Sequence, residues 1–319
     1  MKLRRSLTLT LCLILTNAAY SIAKCGEIGH TPTPVTERVQ VLYGSFDLPD
    51  AQNRGFRNNV VLVDTGAGVV VMDPGGSAWT GEMIARRIAG RGDEIVAVFN
   101  SHAHGDHWLG NEGIRRHFPN AVIYAHPMMK ARVEGSEGAT WLETINRLTE
   151  GRADGRVVVP PDHHVIEDGE VITIGDTRFR VHFAGRAHTD HDIMIEVIDE
   201  GVLFTGDVVR NGLLGIMEED SSFAGNIAAI EAILEGDYRL YIPGHGRAGG
   251  KEILERYAAY LRALRRSVAE LYHEGLADFE MKPEVRKAVV DYADWAGLDM
   301  RIGAHVNRVF LEIEAEEFQ

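Results

Sequence analysis

Cysteine is nearly absent, with two in 319 residues, Cys12 and Cys25. Two thiols close one bridge at most, so this is no disulfide-stapled scaffold; the fold must stand on its apolar core and any metals it binds. Basic residues are outnumbered, 33 Lys and Arg against 47 Asp and Glu, for a formal net charge of −14 at pH 7. So acidic a surface weighs against nucleic acid and anionic lipid as partners, because both repel it. The apolar stretch Ser6 to Thr16 is too short to span a bilayer as a helix. Internal repeats and low-complexity linkers are also missing, which favours one globular domain over an array.

What the N-terminus does contain is an ordered series. Met1 to Arg5 is basic, Ser6 to Thr16 is apolar with hydroxyls, and Ser21 and Ala23 put small residues at −3 and −1 of a cleavage site after Ala23. That order predicts a signal peptide over residues 1–23 and a periplasmic or secreted mature protein. Lys24 before Cys25 does not suit lipid attachment, so no membrane partner is expected once the peptide is gone. Cleavage would remove Cys12, Lys2, Arg4 and Arg5, leaving 30 basic against 47 acidic residues, a net charge of −17.

From residue 39 the pattern alternates between two periods. Val39 to Tyr43 reads as a strand, and Asn59 to Met72 as two β-branched runs around Asp64-Thr65-Gly66-Ala67-Gly68, a hairpin signal. Helical spacing follows over Trp79 to Ala89, then the apolar run Ile95 to Phe99, a helix over Trp108 to His117, a strand over Ala121 to Ala125, and a helix opened by Pro127. Such alternation predicts an α/β fold with sheets covered by helices. A less regular insert is expected between about 135 and 160, with Trp141 to Leu148 helical; a cover over a site and a plain structural helix are equal readings of it. Strand texture returns over Val165 to Phe183 and Asp192 to Thr205, followed by a helix over Asn226 to Leu234 and a strand over Tyr238 to Ile242. After Lys251 the chain turns helical. Ile253, Leu254, Tyr257, Leu261, Leu264 and Val268 mark one face of a long helix, Pro283 can open another, and Ala304 to Glu314 supports a third. Three segments follow: 1–23 as signal peptide, 24–250 as the main domain, and 251–319 as a helical extension packed on it.

The densest chemistry lies directly after Phe99, in Asn100-Ser101-His102-Ala103-His104-Gly105-Asp106-His107. Alternate side chains at a strand end share a side, so His102 and His104 can face one ion, while Asp106 and His107 turn toward a neighbouring position. Imidazole and carboxylate suit zinc, with iron or manganese less specific choices. Three further apolar runs end in glycine-bearing turns with ligand-type residues: His188 after Gly185, Asp207 after Gly206, and His245 after Gly244. Singly these are ordinary turns; jointly they supply the shortfall of a two-metal site. Asp73, in Asp73-Pro74-Gly75-Gly76, reads either as a turn former or as a support for the histidine loop. His191 beside His188 is either a contact behind the site or a solvent-exposed residue. His117, His126, His163, His164, His182 and His305 carry no expected role.

His-x-His-x-Asp-His followed by His188, Asp207 and His245 resembles the metallo-β-lactamase superfamily, over residues 73 to 246. The resemblance implies an αββα sandwich with two zinc ions at one edge. His102, His104 and His188 would hold the first, Asp106, His107 and His245 the second, and Asp207 would bridge them. It further implies hydrolysis of a small-molecule substrate by a metal-bridging hydroxide that Asp106 orients or relieves of a proton, at an ester, thioester, lactone, β-lactam or related bond. The family's β-lactamases carry cysteine where Asp207 stands, or lack an aspartate there, so Asp207 is closer to the glyoxalase II, lactonase and phosphodiesterase branches. The segment Phe204 to Ile230 is similar to exported members linked with quinoprotein and sulfur-oxidation systems. In it, Arg210 is a candidate partner for a substrate carboxylate, or else a surface residue paired with an acid, and Asn211 is a candidate for polarising a carbonyl. Two rivals stay open: a mononuclear iron oxygenase of the same fold acting on sulfur compounds, and a non-catalytic module that binds a cofactor or sulfur carrier.

Overall fold

The computed structural model describes residues 30–162 and 167–318. The signal peptide expected over residues 1–23 lies outside the described residues, as do His163 and His164. Among the described residues, no helix is long and apolar enough to cross a membrane.

Two mixed sheets stack face to face. The first has six strands in the order β1 (Thr33–Pro34), β2 (Val39–Leu42), β3 (Val60–Asp64), β4 (Val69–Met72), β5 (Ile95–Phe99) and β6 (Val122–Tyr124). The second has five, with β11 (Leu240–His245) at one edge, then β10 (Val202–Arg210), β9 (Ile193–Val197), β8 (Thr177–Phe183) and β7 (Val171–Ile174). Alternation along the strands assigns the layers. Val61, Val63, Val70, Met72, Ala97 and Phe99 face Phe179, Val181, Ile193, Ile195, Phe204 and Ile242 across the sandwich. The residues between them, such as Val60, Leu62, Val71 and Val98, turn outward onto Ile84, Ala85 and Ile88 of α1 (Ala78–Ala89) and Ile114 of α3 (Asn111–His117). Burial on both faces explains why these strands read as continuous apolar runs.

The outer face of the second sheet is covered by α6 (Phe223–Leu234) and α7 (Lys251–His273), and α8 (Asp278–Ala288) and α9 (Leu298–Glu317) pack against α7 in the same cluster. Leu254, Tyr257, Leu261, Leu264 and Val268, spaced three and four apart, form the buried stripe of α7 and join Leu203, Val208 and Tyr241 of the sheet in one core cluster. The layers are therefore helix, sheet, sheet, helix, with the C-terminal helices part of the outer layer.

Several boundaries differ from the expectation, each for a local reason. Where one helix was expected over Trp108 to His117, there are two: α2 (Gly105–Trp108) begins within the histidine motif, and a break at Leu109-Gly110 precedes α3. A Cβ on Gly110 would lie 2.1 Å from the Pro74 carbonyl oxygen, so the chain passes too close to the Asp73 turn for any other residue. About half of the expected irregular insert is helical, because α4 (Pro127–Glu134) runs almost directly into α5 (Ser136–Leu148), while residues 149–160 stay irregular. Pro283 lies inside α8 instead of opening it.

Candidate metal centre

One edge of the sandwich gathers the ends of β4, β5, β10 and β11 and the loop before β9. Asp73 follows β4 with φ 50, a conformation an aspartate tolerates in a tight turn. Its fully buried carboxylate accepts from the Ser101 backbone N–H at 2.7 Å, the Ser101 hydroxyl at 2.6 Å and His107 Nδ1 at 2.7 Å. The two readings of Asp73 thus both hold: it makes the turn and it ties down the histidine loop.

These contacts fix tautomers as well as positions. His107 donates from Nδ1 to Asp73, so in the neutral ring the lone pair is on Nε2, an atom that is buried with no hydrogen-bond partner and that can take up either a proton or a metal ion. The Ser101 hydroxyl has spent its only proton on Asp73, so it accepts from His102 Nδ1 at 2.9 Å, and His102 Nε2 also carries a lone pair. His245 Nδ1 donates to the Arg57 carbonyl at 3.1 Å and likewise frees Nε2. An imidazole whose far nitrogen is held by an acceptor is oriented and made more basic, which is what a metal ligand needs.

The freed nitrogens converge. His104 Nδ1 is 3.1 Å from His102 Nε2 and 2.9 Å from His188 Nε2. Asp106 lies 3.4 Å from His245 Nε2 and 3.9 Å from His107 Nε2. Asp207 Oδ2 stands between the two groups, 3.5 Å from His107, 3.5 Å from His245, 3.6 Å from His188 and 4.0 Å from His102. Donors around one tetrahedral zinc, at about 2.0–2.1 Å from it, lie roughly 3.3 Å apart, so this spacing fits an ion in each group. His102, His104, His188 and Asp207 form one set with metal-ligand spacing, and Asp106, His107 and His245 another.

Electrostatics give the same answer. Burial opposes charge on His107, yet Asp207, Asp106 and Asp73 hold its imidazole well above the usual range. Burial also raises Asp207, and Arg210, His245 and His107 nevertheless pull it well below the ordinary carboxylate value. Asp106 is held at about 2, burial being outweighed by His107, His245 and Arg57. Three carboxylates around buried imidazoles make a site that draws positive charge. By contrast, His102 and His188 are driven well below the usual range, first by burial and then by the neighbouring cations, His107 for one and Arg210 for the other. Neutral imidazoles beside ionised carboxylates are the donor set of a divalent ion.

The glycines of the motifs make this crowding possible. A Cβ on Gly244 would lie 2.0 Å from Asp207 Oδ1, and one on Gly206, where φ is 50, would lie 2.8 Å from Ser101 Cβ. Thr205-Gly206-Asp207 and Pro243-Gly244-His245 thus lie within β10 and β11 and not in the turns expected, and glycine at these positions leaves room for the neighbouring side chain of the site.

Other singled-out residues have definite places. Arg210 ends β10, is 4% exposed, and pairs with Asp207 through Nη2 and, at 3.0 Å, through Nε. Its guanidinium also lies 3.4 Å from His188 Nε2, so Arg210 is an inner residue of the site and not a surface one. Asn211 is turned elsewhere, its amide donating to the Arg247 carbonyl at 2.9 Å. His191 is buried rather than solvent-exposed: Nε2 accepts from the Ala103 backbone at 3.0 Å, and Nδ1 donates to Asp190, itself gripped by Arg132. Burial holds this imidazole down at about 4, consistent with the neutral form that can accept.

Motif reading misses Asn58, Asn59 and Asp192. Asn59 binds the Pro243 and Gly246 carbonyls at 2.8 and 2.6 Å, fixing the turn that carries His245, while Asn58 holds the Asp73 carbonyl at 2.9 Å. Asp192 accepts from Thr189 N at 2.6 Å and Thr189 Oγ1 at 2.7 Å, holding the His188 loop, and burial pushes its carboxyl up to about 7. Two adjacent polar residues before the apolar run of β3 were the only available signal for the asparagines.

The profile of the metallo-beta-lactamase superfamily matches residues 53–245. A hydroxyacylglutathione hydrolase of Francisella tularensis subsp. holarctica is 26% identical over 267 residues, covering 82% of this chain and 88% of that relative. Another, from Acaryochloris marina, is 26% identical over 171 residues, covering 51% of this chain and 55% of its own length. Among solved structures, a metallo-beta-lactamase from Pontibacter korlensis superposes with a TM-score of 0.58 at 18% identity, covering 73% of this chain and 98% of that one. A stereoselective inverting sec-alkylsulfatase from Pseudomonas sp. gives 0.66 at 17% identity, over 89% of this chain and 50% of that one. The chain belongs to the metallo-β-lactamase superfamily and is a metal-dependent hydrolase of that superfamily.

The role found for Asp73 yields a first test. Asp73→Asn keeps the side chain's shape but puts a donor where three donors already point. Zinc affinity, measured by competition with a chromophoric chelator, is expected to fall about 10–100-fold in a folded protein. Unchanged affinity would separate Asp73 from metal binding.

Proposed function

We propose that this hydrolase is an exported dinuclear zinc enzyme that cleaves an ester, thioester, lactone or related carbonyl bond in a small molecule. His102, His104 and His188 would hold one ion, Asp106, His107 and His245 the other, and Asp207 would serve both. The observation that carries the reading is the station of Asp207 Oδ2, 3.5–4.0 Å from four imidazole nitrogens drawn from the two groups. A paired divalent centre, when bound, supplies Lewis acidity and a nucleophile at neutral pH.

The rest of the chemistry falls to side chains of the chain. Asp106 is partly exposed on the wall of the cavity beside the site, and its carboxyl, held at about 2, is ionised at neutral pH. Added cations lower it further. So weak a base serves better as a hydrogen-bond acceptor that orients an attacking water than as a store for its proton. Trp141 of α5 lies against His104, with ring centroids 5.6 Å apart and planes inclined at 60°, and that imidazole is buried. This favours α5 as a cover over the site.

The relatives named as hydroxyacylglutathione hydrolases favour a thioester among the candidate bonds. A complete second group, with Asp106 and His245 both in place, disfavours a mononuclear iron oxygenase and a non-catalytic binding module, neither of which needs it. Export rests on the basic, apolar and small-residue order of residues 1–23.

Two outcomes follow. Asp207→Asn should leave the fold intact, since the other donors and the core remain, and lower turnover on the order of a hundredfold or more. The assay is a panel of esters, thioesters, lactones and β-lactams, with zinc quantified on the same samples; wild-type turnover with two zinc bound would reduce Asp207 to a turn residue. For export, intact mass spectrometry of protein from the native host should find an N-terminus near Lys24, and a retained Met1 would refute it.

A further inference from the structure

Beside the metal centre lies a cavity of about 280 Å³, with His104, Asp106 and His245 among its lining residues. Most of its wall is apolar, supplied by residues such as Leu48, Trp141, Ile145, Leu148, Leu213 and Ile216. Set into that wall are three arginines, Arg57, Arg210 and Arg301, against a single carboxylate, Asp106. Two of the three are occupied within the protein. Arg210 pairs with Asp207, while Arg57 donates from Nε to the Asp47 carbonyl at 2.6 Å and faces Asp106 at 3.8 Å.

Arg301 differs. Among the described residues its guanidinium has no hydrogen-bond acceptor and no ion-pair partner. It is half-buried, and the charges that bear on it are other arginines: burial, Arg210 and Arg57 all hold its proton affinity below the usual value. A cation kept among cations on an apolar wall is stabilised by an anion from outside the chain.

Its position is fixed by the fold. Arg301 lies in the first turn of α9, whose start is pinned to the loop after β10. Leu214 N donates to the Ala296 carbonyl at 2.8 Å, and Ala296 N to the Gly212 carbonyl at 3.0 Å. One turn further along α9, His305 donates from Nε2 to the Gly215 carbonyl at 2.9 Å, its Nδ1 accepting from the Tyr260 hydroxyl at 2.8 Å. Gly215 in turn leaves the space that the Arg210 guanidinium fills, since a Cβ there would fall 0.9 Å from Arg210 Nη1. The last helix is thus built into the wall of the site.

We infer that the cavity takes an amphipathic anion, with the apolar body of the substrate along the leucine, isoleucine and tryptophan wall and its oxyanion, a carboxylate or sulfate, gripped by Arg301. The inference rests on the hydrolase reading for the bond that is cut and adds what the substrate must carry. A guanidinium presents a planar fork that matches two oxygens of either group. A zwitterionic body is a poor match, because among the described residues Asp106 is the one carboxylate lining the cavity that could meet its ammonium.

The test uses zinc-loaded full-length protein, wild type, Arg301→Gln and Arg301→Lys. Because the Arg301 guanidinium has no hydrogen-bond or ion-pair partner among the described residues, both variants should fold and bind zinc as the wild type does. Octanoate, octyl sulfate and octanol are titrated calorimetrically. At least one anion should bind the wild type about tenfold or more tighter than octanol, Arg301→Gln should erase that preference, and Arg301→Lys should restore part of it. The better anion identifies the oxyanion. In parallel, Arg301→Gln should raise KM for the mono-4-nitrophenyl ester of glutaric acid about tenfold at unchanged kcat, and leave 4-nitrophenyl butyrate unaffected. Anion preference that survives in Arg301→Gln would assign the anion to the zinc ions and overturn the inference. Loss of the preference without hydrolysis of either ester would support the anion site and remove simple esters from the proposed bonds. Hydrolysis of both esters with no effect of Arg301→Gln would do the reverse.

Discussion

The site depends on one buried carboxylate. Asp73 accepts three hydrogen bonds, from the Ser101 backbone, the Ser101 hydroxyl and His107 Nδ1, and has no contact with solvent. A carboxylate that deep would be expelled unless its lone pairs were met, so its burial and its hydrogen bonds require each other. Through Ser101 it sets the tautomer of His102, and directly it sets that of His107. Those two rings belong to different donor groups. One aspartate therefore orients nitrogens of both groups.

The scaffold makes that arrangement inexpensive in conformational terms. β4, β5, β10 and β11 are buried strands that run to one edge; Asp73, Asp207 and His245 lie on them or just past an end, while the histidine motif follows β5 and His188 stands in the loop between β8 and β9. Donors on or beside buried strands have little freedom to lose, and glycine at 206 and 244 removes clashes with Ser101 and Asp207 that would otherwise hold the elements of the site apart. The C-terminal helices do more than cover the second sheet. Through Ala296 and His305 they brace the loop after β10, which carries Leu213, Leu214 and Gly215 into the cavity wall.

Much of this was legible in the sequence because two signals were strong. Period-two and continuous apolar runs located the strands, since burial on both faces leaves no other pattern, and ligand-type residues right after those runs located the site. Boundaries were less visible. The break between α2 and α3 comes from the approach of Gly110 to Pro74, a contact across 36 residues that no local window contains. Arg210 could not be assigned to the surface or the interior from its neighbours, because its partner Asp207 is set by the irregular path of β10. Asn58, Asn59 and Asp192 were silent for the same reason, as a single buried amide or acid has no periodicity. Arg301 precedes the helix expected over Ala304 to Glu314, and only the fold reveals that α9 starts at Leu298 and that its first turn reaches the cavity.

The central claim is that two ions share Asp207. X-ray absorption at the zinc edge of the zinc-loaded protein tests it most directly. The account predicts two zinc per chain, a first shell of nitrogen and oxygen only, and a metal–metal scattering contribution that disappears in Asp207→Asn. One zinc per chain with no metal–metal scattering at saturating zinc would contradict it.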